Sequence, residues 1–147
     1  MSAELIAARL GHILSLERRV RDETKMLERY MAPDSTRAAA RMFRDSRYVK
    51  ALRIDGRVYA AYGIIGALLT PRAMLWLMVD PAICCHLKTF LRVLRSEFDR
   101  LKREEPGLYS LVITDDAIGC RFAEHFGFRL GEPLPLGIRM AELKEAA

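Results

Sequence analysis

The sequence predicts an α+β protein: a central mixed, mainly antiparallel sheet with one parallel strand–helix–strand crossover and an extra helical region at the N-terminus. Three stretches carry that expectation. Met74–Val79, a long amphipathic segment after Asp80-Pro81, and Leu108–Ile113 read as strand, helix, strand, a size that implies a right-handed crossover between parallel strands. Tyr48–Ile54 and Arg57–Leu69 flank Asp55-Gly56, a pair suited to a tight hairpin because both turn residues can take positive φ. Residues 3–31 place Ile6, Leu10, Ile13, Val20, Leu27 and Met31 at alternating spacings of three and four, the period of a helix.

Composition sets the bounds. A chain of 147 residues with 51% hydrophobic content is most simply one domain, 1–147, with a helical part at 3–47 and a sheet-containing core at 48–143. No apolar run reaches the ~18 residues of a membrane span, and the opening MSAELIAARLGH has no basic leader before an apolar run, so no secretory signal is expected. Three cysteines, Cys84, Cys85 and Cys120, make no even framework, and reduced thiols in a cytoplasmic protein are the simpler reading. The net charge of +5 is uneven: residues 1–50 carry eleven Lys/Arg against seven Asp/Glu, and residues 111–147 four against six. The basic excess is interleaved with acids and lacks a tail, so nucleic acid is not the expected partner.

Taken in order, residues 3–31 form one long helix in this reading, its stripe interrupted by Glu17 and Thr24. The stripe packs on the domain body or, alternatively, against another copy or a larger assembly. Met31–Ser35 is a break, and Asp34 or Ser35 caps a second helix over 36–44, with Ala39, Ala40 and Phe43 inward. Its Arg37, Arg41, Arg44 and Arg47 recur as a basic ridge, for which a solvated face is the ordinary explanation. Gly63 and Gly66 in the return strand of the hairpin suggest a bulge or a close backbone approach. Thr70-Pro71-Arg72 turns the chain into Met74–Val79, where Trp76 is read as core. Asp80 is a helix cap and Pro81 suits the first helical position; Ile83, Leu87, Phe90, Leu91, Leu94, Phe98 and Leu101 supply one apolar face. Pro106-Gly107 ends that helix. A short helix follows Asp115-Asp116, with Ile118, Phe122 and Phe126 as its stripe and Gly127 as its terminator. Phe128–Leu130 and 137–143 read as closing strands.

Cys84-Cys85-His86 looks metal-like, yet adjacent residues on a helix point apart and no second cluster completes four ligands. No metal site is expected. Neither cysteine has a sequence-evident activating group, and His12 and His125 suit surface helices.

Asp116 to Phe128, DAIGCRFAEHFGF, resembles the C-terminal signature of the GCN5-related N-acetyltransferases (GNAT), the acyl-CoA-dependent acyltransferase superfamily. Asp116, Gly119, Phe122, Gly127 and Phe128 match its polar, small, aromatic and Gly-Phe positions, and the order of elements over 48–143 is similar. The sequence also resembles acetyltransferase-like proteins of bacteriophages. The resemblance implies acetyl-CoA as cofactor, held between the strand at 74–79 and that at 108–114, with the pyrophosphate at the helix start. Val79, Cys84, Cys85, His86 and Leu87 would line that site. It implies transfer of an acetyl group to an amine. Two departures accompany it: the helix start has no glycine to let a phosphate approach the backbone, and Ala123 stands where many members carry a proton-donating Tyr. Glu124 and Tyr109 are the nearest acids in sequence or across the crossover, and no catalytic residue is assigned. The departures support an alternative, a catalytically inactive scaffold in a phage particle or another protein assembly, in which the N-terminal helix makes contacts to further copies and the location is the virion.

Overall fold

The computed structural model describes residues 2–24, 35–66, 72–113 and 116–143. Along the chain run β1 (Ala3–Ala7), α1 (Leu10–Thr24), α2 (Ser35–Asp45), β2 (Tyr48–Ile54), β3 (Arg57–Ile65), β4 (Met74–Val79), a 3-10 segment (Pro81–His86), α3 (Leu87–Glu104), β5 (Tyr109–Ile113), α4 (Ala117–His125), β6 (Phe128–Leu130), a 3-10 turn (Pro135–Gly137) and β7 (Ile138–Leu143). The hydrogen-bonded strand order is β1-β2-β3-β4-β5-β7-β6. The β4–β5 pair is parallel, while β1–β2, β2–β3, β5–β7 and β6–β7 are antiparallel. This is the mixed, mainly antiparallel sheet with a single parallel crossover and a preceding N-terminal helix that the sequence predicts. The chain divides into two compact units, 1–65 with 77–94, and 66–76 with 95–147.

In the first unit, Asp55 (φ 49°) and Gly56 (φ 84°) turn β2 into β3 as their positive-φ preference requires. β1 corrects the sequence reading of 3–31 as continuous helix. Ala3–Ala7 pairs antiparallel with β2 from Ala3↔Ile54 to Ala7↔Lys50, and Glu4 accepts from the Arg53 guanidinium across the ladder. Residues of good helix propensity form a strand there because an open sheet edge offers five residues of backbone pairing, a tertiary gain that outweighs a weak local preference. The helix proper starts at Leu10. Ile13, Leu16 and Glu17 are buried and Leu10 is 41% exposed, so the expected stripe holds at 13 and 17, is widened by Leu16 and loses Leu10. The middle of that stripe is buried within this chain. The part of the reading that falls on 25–34 lies outside the described residues.

α1 and α2 pack on each other and on β3, with Ala39 inward and Arg37, Arg41, Arg44 and Arg47 outward. The expected irregularity at Gly63 falls elsewhere: the register of the hairpin shifts between Leu52 and Arg53, and Gly63 sits in regular pairing with Val49. β3 is nearly continuous in burial, from Ala60 to Ile64, as a strand covered on both faces should be. After β4, Asp80 caps the 3-10 segment with Pro81 at its first position. Ile83, Phe90 and Leu94 are buried as expected, but Leu87 is 41% exposed. Three residues per turn over Pro81–His86, against 3.6 in α3, rotate Leu87 off the apolar stripe.

In the second unit, Trp76, Phe98, Leu101, Leu108, Phe126 and Phe128 are buried, with the Phe98 and Phe126 rings edge to face at 4.8 Å. Gly66 approaches the Ala73 backbone closely, since a Cβ there would lie 3.4 Å from the Ala73 Cα. Gly127, at φ 92°, ends α4 as a left-handed C-terminal residue. The stripe expected on α4 is corrected at one end: Phe126 is buried, whereas Ile118 is 66% exposed.

Candidate functional site

Where β4 meets the 3-10 segment, the chain buries a carboxylate. Asp80 has no solvent exposure, and an isolated ionised group so placed would be costly. It is not isolated. Its Oδ1 accepts from the Ala82 N–H at 2.9 Å. Its Oδ2 accepts from Arg19 Nη1 of α1 at 2.5 Å and from Arg57 Nη2 of β3 at 2.9 Å. Its own N–H donates to Tyr59 O at 2.8 Å. Burial alone would push the carboxyl pKa up, but the Ala82 N–H and the two guanidinium groups outweigh it and hold the group below the usual carboxylate value.

The cations are themselves placed by other contacts. Arg19 Nη2 donates to Val58 O at 2.8 Å. The Arg57 guanidinium lies 5.0 Å from the Tyr59 ring centroid, a stacking distance for a cation over an aromatic face. Tyr59 in turn meets His86 edge to face at 5.0 Å. The Arg57 side chain is 49% exposed and that of Arg19 24%, so the cluster opens to water on its Arg57 side.

Around this cluster lie the residues that sequence reasoning assigns to a cofactor. Val79 is the half-buried last residue of β4, Cys84 and Cys85 are exposed, His86 is half-buried against Tyr59, and Leu87 opens α3 with its side chain outward. Consecutive positions on a 3-10 turn diverge by about 120°, so the two thiols point apart. Among the described residues no group of three or more His, Cys, Asp or Glu is placed to hold a metal ion.

This start of the helical segment does not fit a diphosphate. Pro81 has no N–H, the Ala82 N–H is bound by Asp80 Oδ1, and the Ile83 N–H by Asp80 O at 2.9 Å. The donors that would meet an anion there are already met, and the residue closest to them carries a negative charge of its own. Arg19 and Arg57 are absent from the sequence-level candidates, and no local signal could supply them: they lie 61 and 23 positions from Asp80.

A second buried carboxylate also escapes the sequence. Glu17 is 1% exposed, with the Thr36 hydroxyl donating to its Oε2 at 3.2 Å and Arg21 Nη1 at 3.2 Å from its Oε1. What reads as an interruption of the α1 stripe is an inward polar position satisfied by α2.

In the second unit, Asp116 caps α4 by accepting from the Gly119 N–H at 2.9 Å. A Cβ at Gly119 would fall 2.3 Å from Asp116 Oδ2, which gives the small residue three positions after the cap a physical reason. Cys120 is held protonated, its pKa raised by burial and by the nearby Asp116 and Glu124 carboxylates against the opposing Arg139. Ala123 is half-buried and Glu124 exposed. The Tyr109 ring lies 4.8 Å from the Arg72 guanidinium, and Arg72 reaches Glu142 at 3.7 Å.

By sequence the chain matches no protein-family model and no curated protein. Solved structures do match it. The PaiA N-acetyltransferase of Thermoplasma acidophilum, in complex with coenzyme A, superposes with a TM-score of 0.69 at 14% identity over 98% of this chain and 99% of that one. Ard1 of Thermoplasma volcanium gives 0.68 at 16% over 99% and 100%. The ribosomal-protein-S18-alanine N-acetyltransferase of Escherichia coli gives 0.65 at 16% over 97% and 93%. Likeness across nearly the whole length at so low an identity speaks of backbone architecture, and the architecture of this chain is the GNAT acetyltransferase fold.

Proposed function

We propose that this chain is an acyl-CoA-dependent N-acetyltransferase-like protein that takes an acetyl group from acetyl-CoA and passes it to an amine. The observation that carries this reading is the fold, matched over nearly its full length to N-acetyltransferases, one of them in complex with coenzyme A. In this reading the acyl-bearing arm runs along β4 as far as Val79, with Leu87 beside it, and Cys84, Cys85 and His86 border the cofactor without taking part in chemistry. The thiols are bystanders because, among the described residues, no base is aimed at them. The diphosphate lies away from the start of the 3-10 segment, since Asp80 holds the donors there.

Calorimetric titration with acetyl-CoA, with free CoA and ADP as comparisons, tests this. Saturable binding that is strongest for acetyl-CoA, followed by transfer of labelled acetyl to an amine, is the expected result. No binding by a folded sample would overturn it.

A second reading has two observations behind it. The occupied donors at Asp80, together with Ala123 in place of a proton donor, suit a scaffold that keeps the fold for assembly, in a phage particle or another multi-protein complex. That reading expects defined oligomers or a co-purifying partner, and a folded protein indifferent to acetyl-CoA.

A further inference from the structure

We infer that the outer edge of β1 is the interface for a second copy of this chain, the two β1 strands pairing antiparallel about a two-fold axis at Leu5. The inference rests on neither reading of function, since a dimer made through this edge is compatible with either.

The register of the β1–β2 ladder fixes which backbone groups face outward. The pairing runs from Ala3 with Ile54 to Ala7 with Lys50, so continuing it by one residue at each end sets Ser2 opposite Asp55 and Ala8 opposite Val49. Both of these pairs are hydrogen-bonded: the Asp55 N–H donates to Ser2 O at 2.8 Å, and the Ala8 N–H to Val49 O at 2.9 Å. Bonded and non-bonded pairs alternate along an antiparallel ladder. Glu4 and Ile6 therefore direct their N–H and C=O groups to β2, and those of Ala3, Leu5 and Ala7 point away from it. β1 ends the strand order, and among the described residues no strand pairs with that side.

An unpaired edge is a template for another strand, and this one lacks the usual guards. It runs five residues in regular register without a bulge, a proline or a lysine, whereas β6, at the other end of the order, has three residues. Its one charge, Glu4, is met within the chain by the Arg53 guanidinium at 3.0 Å. The occupant follows from the strand being its own complement. Placed antiparallel about Leu5, Ala3 of each copy lies opposite Ala7 of the other and Leu5 opposite Leu5, so every outward residue exchanges both of its backbone bonds. On the other face Glu4 lies opposite Ile6, and the two carboxylates do not oppose each other. Centring on Glu4 would set like charges directly opposite and leave Ala7 without a strand partner; centring on Ile6 would leave Ala3 without one. The contact is isologous, as a closed two-fold dimer requires, and an edge-to-edge contact of this length is small enough to be reversible.

The full-length native chain is followed by sedimentation velocity from about 1 to about 500 μM, and by NMR amide exchange at both ends of that range. A monomer–dimer equilibrium in the micromolar range is the expected result. As the dimer forms, amide exchange at Ala3, Leu5 and Ala7 should slow about tenfold, while Glu4 and Ile6, bonded to β2 in either state, should change little. Leu5→Lys and Leu5→Glu each put a charge on the two-fold axis, opposite its own counterpart. Either alone should weaken the dimer about tenfold, and an equimolar mixture of the two should regain about that factor. Circular-dichroism melts show whether the variants fold; if one does not, the exchange pattern of the native protein carries the test. A chain that stays monomeric to about 500 μM would overturn the inference and leave the edge to a foreign strand. So would a dimer in which Leu5 exchange does not depend on concentration, or folded Leu5 variants whose mixture associates no better than either alone. Failure of acetyl-CoA to bind in a separate titration would sink the proposed function and leave these results standing.

Discussion

Replacing Asp80 with alanine is the most informative single change to the fold. The substitution removes the cap on Ala82, a loss of about 1 kcal/mol. It leaves Arg19, the less exposed partner at 24%, without its counter-charge, for roughly 1.5 kcal/mol. Arg57 is half in water and can be resolvated, so its bond is screened and adds only about 0.5 kcal/mol. The expected total is about 3 kcal/mol, which for a chain of this size lowers Tm by roughly 10 °C. Equilibrium denaturation in urea measures it, and a loss below about 1 kcal/mol would refute the reasoning. Acid titration gives an independent check. Because the folded pKa of Asp80 lies below its ordinary value of 3.8, the unfolded chain binds this proton more readily. The group's stabilisation is therefore present above that value and is lost as pH falls through the folded one. The native protein should lose stability more steeply than Asp80→Ala below about pH 4, and parallel curves would contradict the account.

Three further outcomes follow from local geometry. Gly119→Ala should cost about 1 kcal/mol by driving the Asp116 side chain off its cap; in an Asp116→Ala background the same change should cost nothing more, and additive losses would be evidence against a shared cap. Gly127→Ala should cost about 1–2 kcal/mol through its left-handed backbone alone, because the new methyl group would meet only the movable end of Lys102; a circular-dichroism melt unchanged from the native one would count against it. In timed iodoacetamide labelling read by mass spectrometry, the exposed Cys84 and Cys85 should react before Cys120, whose thiol is held protonated, and Cys120 labelling first would contradict that assignment.

How much of this was legible in the sequence depended on how far each signal reached along the chain. The hairpin was legible because Asp55-Gly56 specifies its own turn. The bounds of β4 were legible because an apolar run ends on a cap and a proline. The Gly-Phe ending of α4 was legible because positive φ at residue 127 selects glycine. What failed to show needed partners far away. Ala3–Ala7 is helix-like in composition, and its strand exists only through residues 50–54. Glu17 looks like a solvated break in a stripe until α2 brings Thr36 against it. Leu87 fits the α-helical period, but a 3-10 turn just before it changes the phase. At the candidate site, Asp80 was readable as a cap and its two arginines were not. The sequence therefore showed a helix start without glycine, but not the arginines that meet Asp80 there.

In the proposed function an acyl donor is recognised along β4 while Asp80 occupies the donors at the start of the 3-10 segment. Parallel calorimetric titrations with acetyl-CoA and with S-acetylpantetheine, which lacks the diphosphate and nucleotide, test it most directly. Affinities within about threefold of each other, with ADP failing to compete, are the predicted result. Acetyl-CoA binding a hundredfold or so more tightly with ADP as a competitor, or no binding of either donor by the folded protein, would contradict it.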